Sequence, residues 1–326
     1  MRSKMRGIRF IRQERGATMV LAAASMLAIL ALAALAIDVG YMLTARNQLQ
    51  AGVDASALAG AAGLMTSRTQ ATQNAMDFAS RNTCIQQPVA VGNSDITFPS
   101  SSRIRVTSNQ TLPLFFASAL GMNTVNISAA ATAELGSIIG TDHLRPWAIP
   151  DMGFSLGDRV MIKSGQLGAP GTNPGFFYPS DFPPVNRGRP ISGASEYRSN
   201  IENGCDGTVE IGDVLQIEPG NMVGPTKQGV DAIIRWDSGA YWDNSSSSVV
   251  GSDYPGYTSP RICIVPLYDE RYPPDSGRNT ITVTGLAVFF VEDMQGKNVY
   301  GRFIEMLTHG IWGSGNTYLY GVHLVE

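Results

Sequence analysis

An unbroken run of 21 uncharged residues, ATMVLAAASMLAILALAALAI, occupies positions 17–37. Ala and Leu dominate the run, both are strong helix formers, and neither Pro nor Gly interrupts it. The hydrocarbon core of a bilayer is about 30 Å thick and needs about 20 helical residues to cross. The pattern therefore predicts a transmembrane anchor over residues 16–37.

The helical pattern continues beyond the apolar run. Apolar residues recur near helical spacing at Met42, Leu49, Val53 and Leu58, which predicts a helix to about residue 64. Small residues are frequent here, and they let another helix or a sheet approach a helix backbone closely. The candidate helix-packing positions are Ala51, Gly52, Ala55, Ala59 and Gly60. A second helix is predicted over residues 69–80, after a break or cap at Thr66-Ser67.

Residues 84–135 change to short alternating segments. They predict strands over 88–91, 103–107 and 124–133. Residues 111–120 are predicted to form a short amphipathic helix, with Thr111 as its N-cap and Gly121 closing it. Single strands are not stable alone, so residues 38–135 are predicted to form a unit in which the long helix packs on a small sheet.

The remainder, residues 136–326, is predicted to be a β-rich domain with Gly- and Pro-rich loops. A turn over 294–297 is predicted to join two strands as a hairpin. The predicted strands of this domain are 159–163, 261–267, 280–291, 299–303 and 318–325. The fold class predicted for the whole chain is α+β, an N-terminal transmembrane helix extended into a helix packed on a small sheet, followed by a β-rich domain.

Charge gives the expected orientation. Residues 1–15 carry six Lys or Arg against one acidic residue, which predicts a basic stub in the cytoplasm and a single-pass anchor in the inner (cytoplasmic) membrane. The bulk of the chain is then extracytoplasmic. It carries 18 basic and 26 acidic residues, a balance that argues against a nucleic-acid partner. The alternative is a cleaved secretory signal ending at Ala34-Leu35-Ala36, but such apolar regions are about 7–15 residues long.

The chain has three cysteines, Cys84, Cys205 and Cys263. A disulfide is permitted outside the cytoplasm, and Cys205 and Cys263 lie in the same predicted domain, so they are the expected pair. The cysteines and histidines show no zinc-ligand spacing, and no metal or cofactor is expected.

Three positions carry candidate chemistry. Ser155 lies in Gly153-Phe154-Ser155-Leu156-Gly157, which matches the G-x-S-x-G motif of serine hydrolases. That motif needs a helix after the serine, whereas a strand is predicted here, so a turn between two strands is favoured. Asp54 begins a partial D-x-S-x-S metal motif inside the predicted helix, where a solvated helix face is favoured. Asp38 follows the apolar run and is expected to end it at the outer interface, with a role inside a subunit assembly as the alternative.

Several stretches together resemble TadE/TadG-like proteins of Flp (tight adherence) pilus systems. The N-terminal signature comprises RGATMV at 15–20, AIDVGY at 36–41 and LQAGVDASALAG at 49–60. The segment ISAAATAE at 127–134 resembles the strand that closes the helix-plus-sheet unit of this family, and PGNMVGPT at 219–226 is similar to a loop in some members.

The resemblance implies a pilin-like, non-enzymatic subunit or assembly factor whose partners are other pilus-assembly proteins and pilin-like subunits. A prepilin-peptidase site would place Gly16 before a segment with Glu at its fifth position, where this sequence has Leu21. Larger TadG proteins also carry a von Willebrand A domain with an intact metal motif, which this sequence lacks. The alternatives are an exported serine hydrolase using Ser155 and an envelope protein that binds a ligand in its distal loops.

Overall fold

A computed structural model describes residues 15–164, 178–218, 220–272 and 280–325, so nearly all of the predicted basic stub lies outside the described residues. The chain divides into two compact units, one comprising Met1–Ala133 with Leu324–Glu326 and the other Glu134–His323. The first unit contains the helices α1 (Arg15–Gly63) and α2 (Arg68–Arg81) and the strands β1 (Thr83–Cys84), β2 (Gln87–Pro88), β3 (Ile96–Thr97), β4 (Arg103–Pro113) and the start of β5 (Thr124–Thr141).

The helix α1 is continuous for 49 residues, as the pattern predicts. None of its most apolar 18-residue window is buried. By length and composition, α1 is able to cross a membrane. Only the part beyond the apolar run is buried on one face, where Ala45, Leu49 and Val53 enter the core of the first unit.

The helix α2 packs against α1. It begins after Ser67, whose hydroxyl accepts a hydrogen bond from the Gln70 N–H at 3.0 Å, so the predicted re-capping at this position is confirmed. Its buried residues are Ala71, Ala75 and Ala79, which recur every fourth position. One small-residue face of α2 therefore lies against α1.

The strands β3, β4 and β5 are neighbours in one sheet. Burial alternates along β4, and Ile104, Val106 and Leu112 point into the core. The predicted helix over 111–120 is wrong, because β4 continues to Pro113 and only a 3-10 turn forms at Ala117–Leu120. The Thr111 hydroxyl donates across the hairpin to Asn126 instead of capping a helix. The predicted strand over 88–91 forms only at its first residue, in β2.

The second unit is a β-rich body with two helices. Its elements are β6 (Trp147–Pro150), β7 (Arg159–Lys163), β8 (Tyr178–Asp181), α3 (Ala194–Asn203), β9 (Val209–Glu210), β10 (Val214–Ile217), α4 (Val223–Trp236), β11 (Tyr241–Asp243), β12 (Ser248–Val250), β13 (Ile262–Tyr268), β14 (Thr280–Gln295), β15 (Asn298–Ile304), β16 (Met306–Leu307), β17 (Ile311–Trp312), β18 (Asn316–Thr317) and β19 (Leu319–Leu324). Beyond residue 133, β5 pairs with β9 and β17 in this unit.

The main sheet of the second unit has the order β10-β8-β6-β13-β14-β15-β7. The strands β14 and β15 form the predicted hairpin, and Gln295 pairs with Asn298 across Gly296, which has a φ of 63°. Alternate residues of β14 enter two different hydrophobic clusters, so the sheet is covered on both faces. The apolar residues of β14 are continuous rather than alternating with polar ones, which is typical of a strand that is buried on both faces.

The helices α3 and α4 were not predicted from the sequence. They pack together on one face of the sheet, where Tyr197, Ile201, Val230 and Ile233 belong to one cluster. In α4 the buried positions Thr226, Gly229, Val230 and Ile233 follow a helical spacing, which was the available signal. Of the segment 219–226, which resembles a loop in the sequence, residues 223–226 form the first turn of α4. Pro219 lies outside the described residues.

Candidate assembly face of the long helix

A stripe of small residues on α1 lies directly against α2 and its neighbours. A Cβ built at Gly60 would lie 2.6 Å from the Cδ1 atom of Ile104 and 3.2 Å from the Cβ atom of Ala75. A Cβ at Gly52 would lie 2.8 Å from the Cγ2 atom of Val89. These distances leave no room for a side chain, so Gly52 and Gly60 serve close packing within the first unit.

Polar contacts extend the same stripe. The Ser56 hydroxyl is fully buried and donates to the Ala75 carbonyl at 2.6 Å. At Gly63 a Cβ would lie 2.6 Å from the Cα atom of Ala71. The backbones of α1 and α2 therefore approach each other closely at Gly60 and Gly63, which have no side chain, and the Ser56 hydroxyl joins them directly.

The other three candidate positions face differently. Ala51 is exposed, and Ala55 and Ala59 are half-buried. They are spaced by four residues and form a second stripe on α1. The five predicted packing residues thus separate into two groups, one occupied within the chain and one open on its surface.

Asp38 follows directly after the apolar run of α1 and is buried, with 2% of its surface exposed. Its carboxylate accepts backbone N–H bonds from Phe115 at 3.0 Å, Phe116 at 3.0 Å and Ala117 at 2.7 Å. The Tyr41 ring, one turn along α1, meets the Phe115 ring edge-on at 5.0 Å between centroids. The helix α1 continues through Asp38, as the pattern predicts, and the carboxylate holds the turn between β4 and β5. That Asp38 ends the membrane span at the outer interface stays a prediction.

Asp54 accepts a hydrogen bond from the Gln50 side chain at 2.8 Å, and Gln50 also donates to the Ala130 carbonyl at 2.9 Å. The partial metal motif therefore lies on a helix and contributes to contacts with β5. Within the described ranges, no cluster of three or more His, Cys, Asp or Glu residues is arranged to hold a metal ion.

Ser155 lies in a turn between β6 and β7. Its backbone N–H donates to the Asp158 carboxylate at 2.8 Å, and the strand β7 begins at Arg159, the residue after Asp158. The backbone is not the strand, turn and helix that a nucleophile elbow requires. Two of the histidines have other contacts, since His143 pairs with Asp142 at 3.2 Å and the His323 ring lies 4.1 Å from the Trp312 ring.

The predicted disulfide is not formed, because Cys84, Cys205 and Cys263 are all free and buried. Cys205 packs in the cluster on one face of the main sheet, whereas Cys263 belongs to the cluster on the other face. A disulfide needs Cα atoms within about 7 Å and Cβ atoms directed at each other, which side chains separated by a sheet do not offer. Burial raises the pKa of the Cys205 thiol to about 12.

A buried pair of carboxyl groups in the second unit was not predicted. Asp181, at the end of β8, and Glu218, after β10, are 2% and 4% exposed. Asp181 accepts hydrogen bonds from Ser192 and Gln216, and Glu218 accepts one from the Gly193 N–H at 3.2 Å. Burial first, and then a hydrogen bond with Glu218, raise the pKa of Asp181 to about 7.

This pair predicts a pH-dependent stability of the second unit. The unfolded chain releases the Asp181 proton near pH 4 and the folded unit near pH 7, so the stabilisation is complete below about pH 4 and is lost as the pH rises through about 7. Urea unfolding followed by tryptophan fluorescence should show this decline, and Asp181→Asn should flatten it. An equal decline in the variant would contradict the assignment to Asp181.

Residues 16–63 match a family model described as "Putative Flp pilus-assembly TadE/G-like". The matched residues include the whole apolar run and the Asp38, Gly52 and Gly60 positions, and they cover α1 almost from end to end. The resemblance of this segment to the TadE/G-like family is thereby confirmed. No curated protein and no solved structure matches the chain.

Proposed function

We propose that this protein is a membrane-anchored structural component of a Flp-type (Tad) pilus machine, without enzymatic activity. The observation that carries the proposal is the match of residues 16–63 to a pilus-assembly family, on a helix whose most apolar window has no buried residue. The family match supports a role in pilus assembly, and the membrane-anchored structural role of this chain is our proposal.

The anchor has a defined place in this proposal. The apolar run of α1 spans the inner membrane, the basic residues before it stay in the cytoplasm, and both folded units lie outside. The protein should therefore stay in the membrane fraction after an alkaline wash, and a periplasmic reporter fused after residue 326 should be active. Recovery of the intact chain as a soluble cytosolic protein would contradict the anchor.

The second stripe of α1, formed by Ala51, Ala55 and Ala59 and called the open stripe here, provides the contact with partners. Other pilus-assembly proteins or pilin-like subunits approach the helix backbone closely where only alanine methyl groups intervene. Ala51, Ala55 and Ala59 supply this surface, because Gly52 and Gly60 are occupied within the chain. Contact through small side chains also explains why a large side chain there should block assembly without affecting insertion.

A bulky substitution tests this surface. Ala51→Trp and Ala55→Trp should lower the number of surface pili about tenfold or more, because each indole holds a partner helix away from the backbone. Gln73→Trp, at an exposed position of α2, is the matched control and should leave piliation unchanged. Pili counted by electron microscopy, with membrane-fraction protein measured by immunoblot, give the readout. Normal piliation in both alanine variants would contradict the proposed surface.

The serine hydrolase alternative has a direct test of its own. A fluorophosphonate probe should label neither the purified protein nor Ser155→Ala, because the turn around Ser155 lacks the geometry that activates a serine. Labelling of the wild type that disappears in Ser155→Ala would favour the hydrolase over the structural role.

A further inference from the structure

The turn that joins β4 to β5, residues 114–123, exposes large apolar side chains and is called the hairpin tip here. The Leu114 N–H bonds to the Asn123 carbonyl at 3.0 Å and closes it. Within it Phe115, Phe116 and Met122 are 56%, 47% and 55% exposed. Apolar side chains grouped at one tip mark a surface that has a partner.

The contacts along α1 show where this tip lies. Ile104, near the start of β4, lies against Gly60, and Phe115, just after the end of β4, bonds to Asp38. Between these contacts, 22 helical residues rise about 33 Å and 11 extended residues span about 36 Å. The strand β4 therefore runs antiparallel to α1 over the same length, and the hairpin tip points toward the apolar end of the helix.

The tip contacts α1 at Asp38, the first residue after the apolar run. Before it, Ile37 and Leu35 are 52% and 58% exposed, and Leu32 and Leu30 further along the run are 67% and 55% exposed. If α1 crosses a bilayer, the apolar run fills the hydrocarbon core and Asp38 lies at its boundary. Phe115, Phe116 and Met122 are then at the level of the lipid headgroups and the first acyl carbons.

Backbone N–H groups of the tip have hydrogen-bond partners within the protein. Three of its N–H groups bond to Asp38, and those of Ala119, Gly121 and Met122 bond to carbonyls within the tip. The Ser118 hydroxyl donates to the Phe115 carbonyl at 2.7 Å. A segment that enters a bilayer must satisfy its polar groups internally, and this turn does so for every one of these groups.

The sequence around the tip is also free of charge. No Asp, Glu, Lys or Arg occurs between Arg105 and Glu134, so neither arm of the hairpin opposes contact with lipid. Charged side chains are the groups most costly to bring into a membrane.

We propose that the hairpin tip inserts into the bilayer interface beside α1, as a second membrane contact of the first unit. The occupant of this apolar surface is the lipid of the leaflet on the side of the folded units. The inference rests on the membrane anchor of the proposed function. Two contacts, a helix and a hairpin held together at Asp38, fix the height and the rotation of α1, and so direct its open stripe toward partners in the membrane plane.

Labelling with an environment-sensitive fluorophore tests the insertion in the full-length protein. The three native cysteines are buried, so a cysteine introduced at the surface takes up the NBD label selectively and the wild type serves as the blank. The tip variants are Phe116→Cys and Met122→Cys. Leu27→Cys marks the anchor, and Thr69→Cys marks an exposed site near the end of α1, about 38 Å from the Asp38 level.

In phosphatidylcholine–phosphatidylglycerol vesicles with a nitroxide near the glycerol end of one acyl chain, both tip labels should be quenched at least about fivefold more than the Thr69 label. Adding Asp38→Ala should reduce the quenching at both tip sites. Tip labels that match the Thr69 label, with the Leu27 label quenched by a nitroxide near the methyl end of the acyl chain, would overturn the insertion but leave the anchor intact. Blue-shifted tip labels without lipid quenching would overturn it in favour of a protein contact. A Leu27 label that is also not quenched by a nitroxide near the methyl end of the acyl chain would overturn the anchor and this proposal together.

Discussion

Asp38→Ala should detach the hairpin tip from α1 while leaving α1 helical. The carboxylate is the common acceptor for three consecutive backbone N–H groups, and hydrogen bonds to a charged acceptor are stronger than neutral ones. Removing it leaves three part-buried donors without their partner. Amide exchange of Phe115, Phe116 and Ala117 should accelerate at least about tenfold.

Hydrogen exchange with mass spectrometry on the protein in detergent or nanodiscs measures this effect. Asp38→Asn keeps one carbonyl oxygen as an acceptor, so its acceleration should lie between those of the wild type and Asp38→Ala. Asp54→Ala loses a single side-chain contact on the same helix and should leave the tip unchanged. If exchange at the tip is equal in wild type and Asp38→Ala, the carboxylate does not hold the hairpin.

Gly63→Ala should destabilise the first unit by about 1–3 kcal/mol, because the contact it disrupts is backbone against backbone. A Cβ at this position would lie 2.6 Å from the Cα atom and 2.7 Å from the N atom of Ala71. Neither atom is able to move without shifting α2 itself. The α1–α2 packing must open, and the buried Ser56 bond to Ala75 should weaken with it.

The same substitution elsewhere on the same helix is the control. At Gly40 a Cβ would meet nothing within 4 Å. Gly40→Ala should therefore raise the free energy of unfolding by about 0.5–1 kcal/mol, because alanine lowers the conformational entropy of the unfolded chain. Thermal unfolding followed by circular dichroism, with limited proteolysis of the α1–α2 connection as a local probe, compares the two variants. Equal stability of Gly63→Ala and Gly40→Ala would show that α2 does not press on α1 as closely as described.

The two variants act at opposite ends of one structure. Asp38 secures the hairpin where it meets the apolar run, and Gly63 admits α2 near the other end of α1. Between them, Gly52, Ser56 and Gly60 complete the contact face of the helix. The part of α1 beyond the apolar run is thereby supported on one side, and Ala51, Ala55 and Ala59 remain on a surface that is not fully covered.

Elements with strong local patterns were predictable. The long helix followed from the length of its apolar run, the start of α2 from Ser67, and the β14–β15 hairpin from the turn over 294–297 between two strand segments. The match to the pilus-assembly family falls on the same local pattern, within residues 16–63. In each case the residues that determine the structure are neighbours in sequence, so periodicity and capping are sufficient.

The tertiary structure decided whatever depends on distant partners. The Asp38 carboxylate bonds to residues 77–79 positions away, so its role at the hairpin was not visible in the pattern. Residues 111–113 extend β4 because they pair with β5, and this pairing overrides their amphipathic spacing. Cys205 and Cys263 stay apart because a sheet lies between their clusters. Sequence determined which segments are helical, apolar or alternating, whereas packing determined which small residues are covered and which remain open, because burial is a property of the assembled chain.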